Sequence, residues 1–141
     1  MSEQTDLVDG LIPVPQHEVG LLMEAGYLFL ELGAPKKAMD VFQGVAALVP
    51  QNEIPLIALG HLAFAQGKFE QALKYNEDAL SRNPNSSLAK AHKGESLMFL
   101  GQHQEAMDIL NDVLAGESAG VTQGFVKALI DAFNDGAFQD D

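Results

Sequence analysis

Apolar residues recur along this chain in a helical rhythm that glycine and proline interrupt at regular intervals. The stretches GLLMEAGYLFLELG and IPLIALGHLAFAQG are apolar nearly all round. In contrast, KKAMDVFQGVAALV and FEQALKYNEDALSR alternate as surface helices do, turning Lys37, Asp40, Glu70, Lys74, Glu77 and Asp78 outward. The pattern predicts helices over about 19–32, 35–48, 53–66, 69–82, 87–100 and 103–115, joined by short loops. A seventh amphipathic segment, VTQGFVKALIDAFNDG, repeats Val121, Phe125, Leu129 and Ala132 or Phe133 on one face and predicts a capping helix over 121–135. Residues 136–141 are expected to fray as an acidic tail, and residues 1–18, with Pro13 and Pro15, to form a flexible or extended arm.

The interruptions themselves repeat. Gly26, Gly33 and Ala38 recur as Gly60, Gly67 and Ala72 and again as Gly94, Gly101 and Ala106, each set 34 residues after the last. A period of this length marks stacked repeat units. The first glycine of each set lies inside a helix, where it costs about 1 kcal/mol relative to alanine. Close approach to the alanine of a second helix is the expected compensation. The middle glycine falls where the first helix must stop, a position that favours a left-handed backbone, and Pro35 suits the first turn of the next helix.

This spacing resembles the tetratricopeptide repeat, with copies at 19–52, 53–86 and 87–120 that cover 102 of the 141 residues. The resemblance implies an all-α fold, a right-handed α-solenoid of three helix hairpins closed by the C-terminal capping helix. Phe42, Val45 and Pro50 match Asn76, Ala79 and Pro84, then Leu110, Val113 and Ser118. Asn76 departs from the family's large apolar residue, Ser118 from its closing proline, and Leu22, Leu56 and Lys90 stand where a tryptophan is usual. The third copy matches least, as a terminal unit should.

Charge narrows the partners. Twenty acidic residues against eight basic ones give a net charge of -12, which repels nucleic acid and anionic membrane surfaces. No apolar run approaches the roughly 20 residues that cross a bilayer. The N-terminal MSEQTDLVDG carries Glu3, Asp6 and Asp9 where an export signal needs positive charge, so a cytoplasmic chain is expected. With no cysteine, thiolate metal sites and cysteine nucleophiles are excluded. His17, His61, His92 and His103 form no metal-binding spacing, AQGKFE lacks the phosphate-cradling loop, and DAFNDG reads as a helix end, not a calcium loop. No cofactor and no catalysis are expected.

What is left is surface, the working part of a repeat protein. The resemblance places the groove at the second, fifth, ninth and twelfth residue of each copy: Gly20, Met23, Tyr27 and Leu30; Ile54, Ile57, His61 and Phe64; Leu88, Ala91, Glu95 and Met98. Members of the family that grip the acidic C-termini of heat-shock proteins carry lysine and asparagine at several of these places. None stands here, so that function is not expected. An apolar groove suits a protein or peptide client with an apolar segment, held as an amphipathic helix or as an extended chain. Two other covers for the same face stay open, the chain's own N-terminal arm and a second subunit in a homodimer. The chain is also similar to the cytoplasmic chaperones of bacterial type III secretion, in size, repeat count, charge and groove character. That likeness implies a module sequestering a secretion substrate, with Tyr27 and His61 fixing register; the alternative is a self-associating scaffold or adaptor subunit. Glutamate at Ile57 and Phe64 is expected to abolish client capture while leaving helicity intact.

Overall fold

A computed structural model describes residues 5–6, 14–116 and 120–139. A short antiparallel bridge pairs β1 (Thr5–Asp6) with β2 (Val14–Pro15), in the register Thr5 with Pro15 and Asp6 with Val14. Seven helices follow: α1 (Gln16–Glu31), α2 (Pro35–Leu48), α3 (Ile54–Ala65), α4 (Phe69–Arg82), α5 (Ser87–Phe99), α6 (His103–Ala115) and α7 (Gly120–Asn134). They stack as three hairpins, α1 on α2, α3 on α4 and α5 on α6, with each hairpin packed on the next and α7 closing the end against α5 and α6. This is the all-α solenoid expected from the spacing. Helix α1 begins at Gln16, inside the segment expected to be an arm; the rest of that expectation, apart from the two strands, lies outside the described residues, as does Ser118.

Four helices end by one device. Gly33, Gly67, Gly101 and Gly136 take φ of 74°, 76°, 81° and 85°, the left-handed region in which a side chain is strained. The residue after each glycine then donates its N–H five residues back, Ala34 to Phe29, Lys68 to Ala63, Gln102 to Leu97 and Ala137 to Ala132, at 2.8–3.0 Å. Each bond satisfies a carbonyl that the helix end would leave bare. DAFNDG is thus a helix terminus. Beyond it the chain does not fray at once, because Phe138 lays its ring 5.1 Å from that of Phe99; residues 140–141 lie outside the described residues.

The buried glycines work differently from the expectation. A Cβ on Gly26 would sit 2.3 Å from Phe42 Cε1, on Gly60 2.8 Å from Asn76 Nδ2, and on Gly94 2.6 Å from Leu110 Cδ2. The glycine therefore makes room first for the side chain one turn beyond the alanine; the expected approach to the alanine itself is seen in the second hairpin, where a Cβ on Gly60 would lie 3.4 Å from the Ala72 carbonyl oxygen, and Ala38, Ala72 and Ala106 are fully buried. In the second hairpin that side chain is polar. Asn76 is buried, its Nδ2 donating to the Ala72 carbonyl at 2.9 Å while its Oδ1 has no protein partner. An orphaned buried acceptor costs about 1–3 kcal/mol. Asn76→Leu, which copies the third hairpin, is expected to raise the thermal midpoint by a few degrees; a lowered midpoint would show that the amide is needed.

Arg82 closes the end of α2 from the next hairpin. Its guanidinium donates to the carbonyls of Ala46, Val49 and Asn52 at 3.0, 3.3 and 3.0 Å. A cation there satisfies helix-terminal carbonyls and opposes their dipole. Gln123 satisfies the end of α6 without a charge, its amide donating to the Val113 and Gly116 carbonyls at 3.1 and 3.2 Å. Arg82→Met is expected to cost about 1.5–3 kcal/mol, read as a lower urea midpoint at unchanged slope.

Position in the stack explains the apolar character of α3. It lies against α2, α4 and α5, and eight of its twelve residues are buried, from Pro55 to Gly60 with Leu62 and Ala63. The chain itself covers most of this helix, so most of its all-round apolar pattern is core, while Ile54, His61, Phe64 and Ala65 stay at least partly uncovered. No helix among the described residues is long and apolar enough to cross a membrane.

Candidate functional site

Helices α3, α5 and α7 enclose a pocket of about 370 Å³, lined by His61, Phe64, Leu88, His92, Glu95, Val121, Thr122 and Phe125. Its walls are apolar. Leu88 and Phe64 face it from α5 and α3, and α7 contributes Phe125 and the fully projecting Val121, which is 87% exposed. Polar groups gather on one side. The rings of His61 and His92 lie 6.1 Å apart and nearly perpendicular, and His92 stacks at 5.0 Å on Phe125. His92 Nδ1 lies 3.2 Å from Glu95 Oε1, one helical turn away, so the carboxylate orients the imidazole. Phe64 also joins a second aromatic group, with Phe69 and Phe99 at 5.0 and 4.8 Å.

No lysine or arginine lines the pocket. The nearby lysines of α5 lie against carboxylates of the second-layer helices, Lys90 with Asp112 at 3.3 Å and Lys93 with Glu77 at 3.5 Å. Among the described residues no three carboxylate or imidazole groups converge to hold a metal ion. The arrangement can seat an apolar side chain and offers the polar groups of the segment that carries it a hydrogen-bonding edge of imidazole and carboxylate, with no lysine or arginine.

The expected groove residues separate into three sets. His61, Phe64, Leu88 and Glu95 line the pocket. Met23, Ile57, Ala91 and Met98 do not, being buried in the two core clusters; the fifth position of each copy points between neighbouring helices. A glutamate at Ile57 would therefore carry charge into the core, and the paired Ile57 and Phe64 substitution tests folding, not capture. Tyr27, Leu30 and Ile54 lie away from the pocket. Tyr27 stacks at 5.1 Å on Phe42, and partial burial raises its hydroxyl above the usual tyrosine range. Leu30 packs on the core, and Ile54 is exposed at the start of α3.

His92, Val121, Thr122 and Phe125 were not among the expected residues. A signal for three of them was present, since continuing the 34-residue frame beyond residue 120 makes Val121, Thr122 and Phe125 the first, second and fifth residues of a fourth copy. In that frame α7 takes the place of a first helix, and it supplies the third wall of the pocket.

Stacked hairpins with a pocket on the face of their first helices define an α-solenoid that presents a surface. The chain belongs to the tetratricopeptide repeat family, whose sequence profile matches residues 29–91 and 63–118. It is 30% identical over 96 residues to human tetratricopeptide repeat protein 7A, covering 68% of this chain and 11% of that protein. Its fold is similar to the type III secretion translocator chaperone SycD of Yersinia enterocolitica, with a TM-score of 0.73, 18% identity and coverage of 83% of this chain and 90% of the other. It is also similar to the first tetratricopeptide domain of Spaghetti (RPAP3), solved bound to the HSP90 peptide SRMEEVD, with a TM-score of 0.71, 20% identity and coverage of 86% and 99%.

Proposed function

We propose that this protein is a non-catalytic cytoplasmic binding module, a chaperone that holds an apolar segment of a type III secretion substrate against its α3–α5–α7 pocket. The observation that carries this reading is the pocket itself, with Phe64, Leu88, Val121 and Phe125 as apolar lining beside His61, His92 and Glu95. Wall chemistry of this kind takes a leucine or aromatic anchor of a docked segment. The fold shared with SycD supports the secretion setting. Acidic tails of the SRMEEVD type are not the ligand, because Glu95 would face their carboxylates and no lysine or arginine lines the pocket to hold them.

Capture from the protein's own cells, with mass spectrometry of what co-purifies, tests the reading. An apolar segment of the captured protein, synthesised with a fluorescent label, should bind one to one, and SRMEEVD should not. Equal binding of both peptides would rule the assignment out. A glutamate in the pocket wall should release the client.

A further inference from the structure

After α7 the chain turns back on itself. Gly136 lets the Ala137 N–H return to the Ala132 carbonyl at 3.0 Å, and the Gln139 N–H then reaches the Gly136 carbonyl at 3.2 Å. Ala137 and Gln139 are exposed, and the half-buried side chain between them is Phe138. Its ring stands edge-on to Phe99 at 5.1 Å, with His103 at 6.5 Å. Phe99 projects from the end of α5 at 43% exposure and rests on Phe64 and Phe69 at 4.8 and 5.2 Å. Phe64 also lines the α3–α5–α7 pocket. Phe138 is thus the last ring of an aromatic row that begins at the candidate site.

The seat is larger than its occupant. Phe138 borders a cleft of about 470 Å³ beside Met98, Phe99 and His103, and another of about 540 Å³ beside His103 and Phe133. A ring packed as core leaves no such space; Phe42, fully buried, is the contrast. One edge-to-face pair is worth a factor of about two to twelve in an equilibrium constant, enough to hold the tail down but not against a ligand with further contacts. We propose that Phe138 is an internal competitor, seated on an aromatic site at Phe99 that a phenylalanine or tyrosine of a docked segment takes in its place. The source of that segment rests on the client-binding reading; the site itself rests on the turn and the ring contacts. Apparent affinity is then lowered by the fraction of molecules whose tail is down.

Titration by NMR with acetyl-AFQ-amide, an uncharged copy of residues 137–139, tests this without the client. A short tether supplies an effective concentration of millimolar order, so the free tripeptide is expected to bind with a dissociation constant on the order of 1 mM or below. Full-length Phe138→Ala should bind it about two- to twelvefold more tightly than the wild type, with the ring signals of Phe64, Phe69 and Phe99 shifting. Acetyl-AAQ-amide should bind neither protein. The variant's thermal midpoint should fall by no more than about 5 °C. Equal tripeptide affinity for both proteins, no binding to Phe138→Ala, or a larger loss of midpoint, which would make Phe138 core, would each overturn the proposal. Because no arm uses the client, these results fail or hold independently of capture in the pocket.

Discussion

Phe42→Ala is expected to lower stability by about 3–5 kcal/mol, the range for emptying a buried aromatic site, with a fall in thermal midpoint on the order of 10 °C. Phe42 is fully buried, stacks on Tyr27 and fills the space left by Gly26, so its removal opens the contact between α1 and α2 from both sides. The glycine gives this prediction a sharper form. In the wild type Gly26→Ala forces a methyl to within 2.3 Å of the ring and should destabilise by about 1–3 kcal/mol. In the Phe42→Ala background the obstacle is gone, and the same change should stabilise by up to about 1 kcal/mol through helix propensity. Denaturant unfolding of the four proteins measures the coupling. If Gly26→Ala has the same effect in both backgrounds, the two residues are not the wedge and slot described here.

Leu88→Glu and Val121→Glu are expected to weaken capture of the co-purified apolar segment at least about tenfold each, equivalent to about 1.4 kcal/mol. Both side chains line the pocket and are exposed, so helicity and thermal midpoint should stay near those of the wild type. Each glutamate adds a charge beside Glu95 and replaces an apolar wall with a group that resists desolvation. Phe64 is a poorer choice, because its ring also holds Phe69 and Phe99 and its loss would disturb the fold. Lys36→Glu, on the outward α2, serves as the control and should leave affinity unchanged. Undiminished fluorescence-anisotropy binding by both pocket variants would move the client to another surface.

Much of the fold was legible because it is local. The glycines at 33, 67 and 101 stop helices through their own backbone freedom, and Pro35 begins one through its fixed ring, so helix ends can be read without knowing neighbours. The site was half legible. His61, Phe64, Leu88 and Glu95 followed from the frame, but Met23, Ile57, Ala91 and Met98 occupy equally regular positions and are buried, since periodicity names a face of a helix and not what lies opposite it. Arg82 gave no signal at all, its three carbonyl partners being 30 to 36 residues away.

The sequence by itself determined the repeat, the hairpins and the acidic surface, because these depend on backbone preference, spacing and charge count. Only the tertiary structure decided which apolar residues are spent on the chain's own packing. Burial belongs to the neighbours that stacking supplies: in α3, between two hairpins, apolar side chains form core, whereas in α1, at the end of the stack, leucines of the same register face outward.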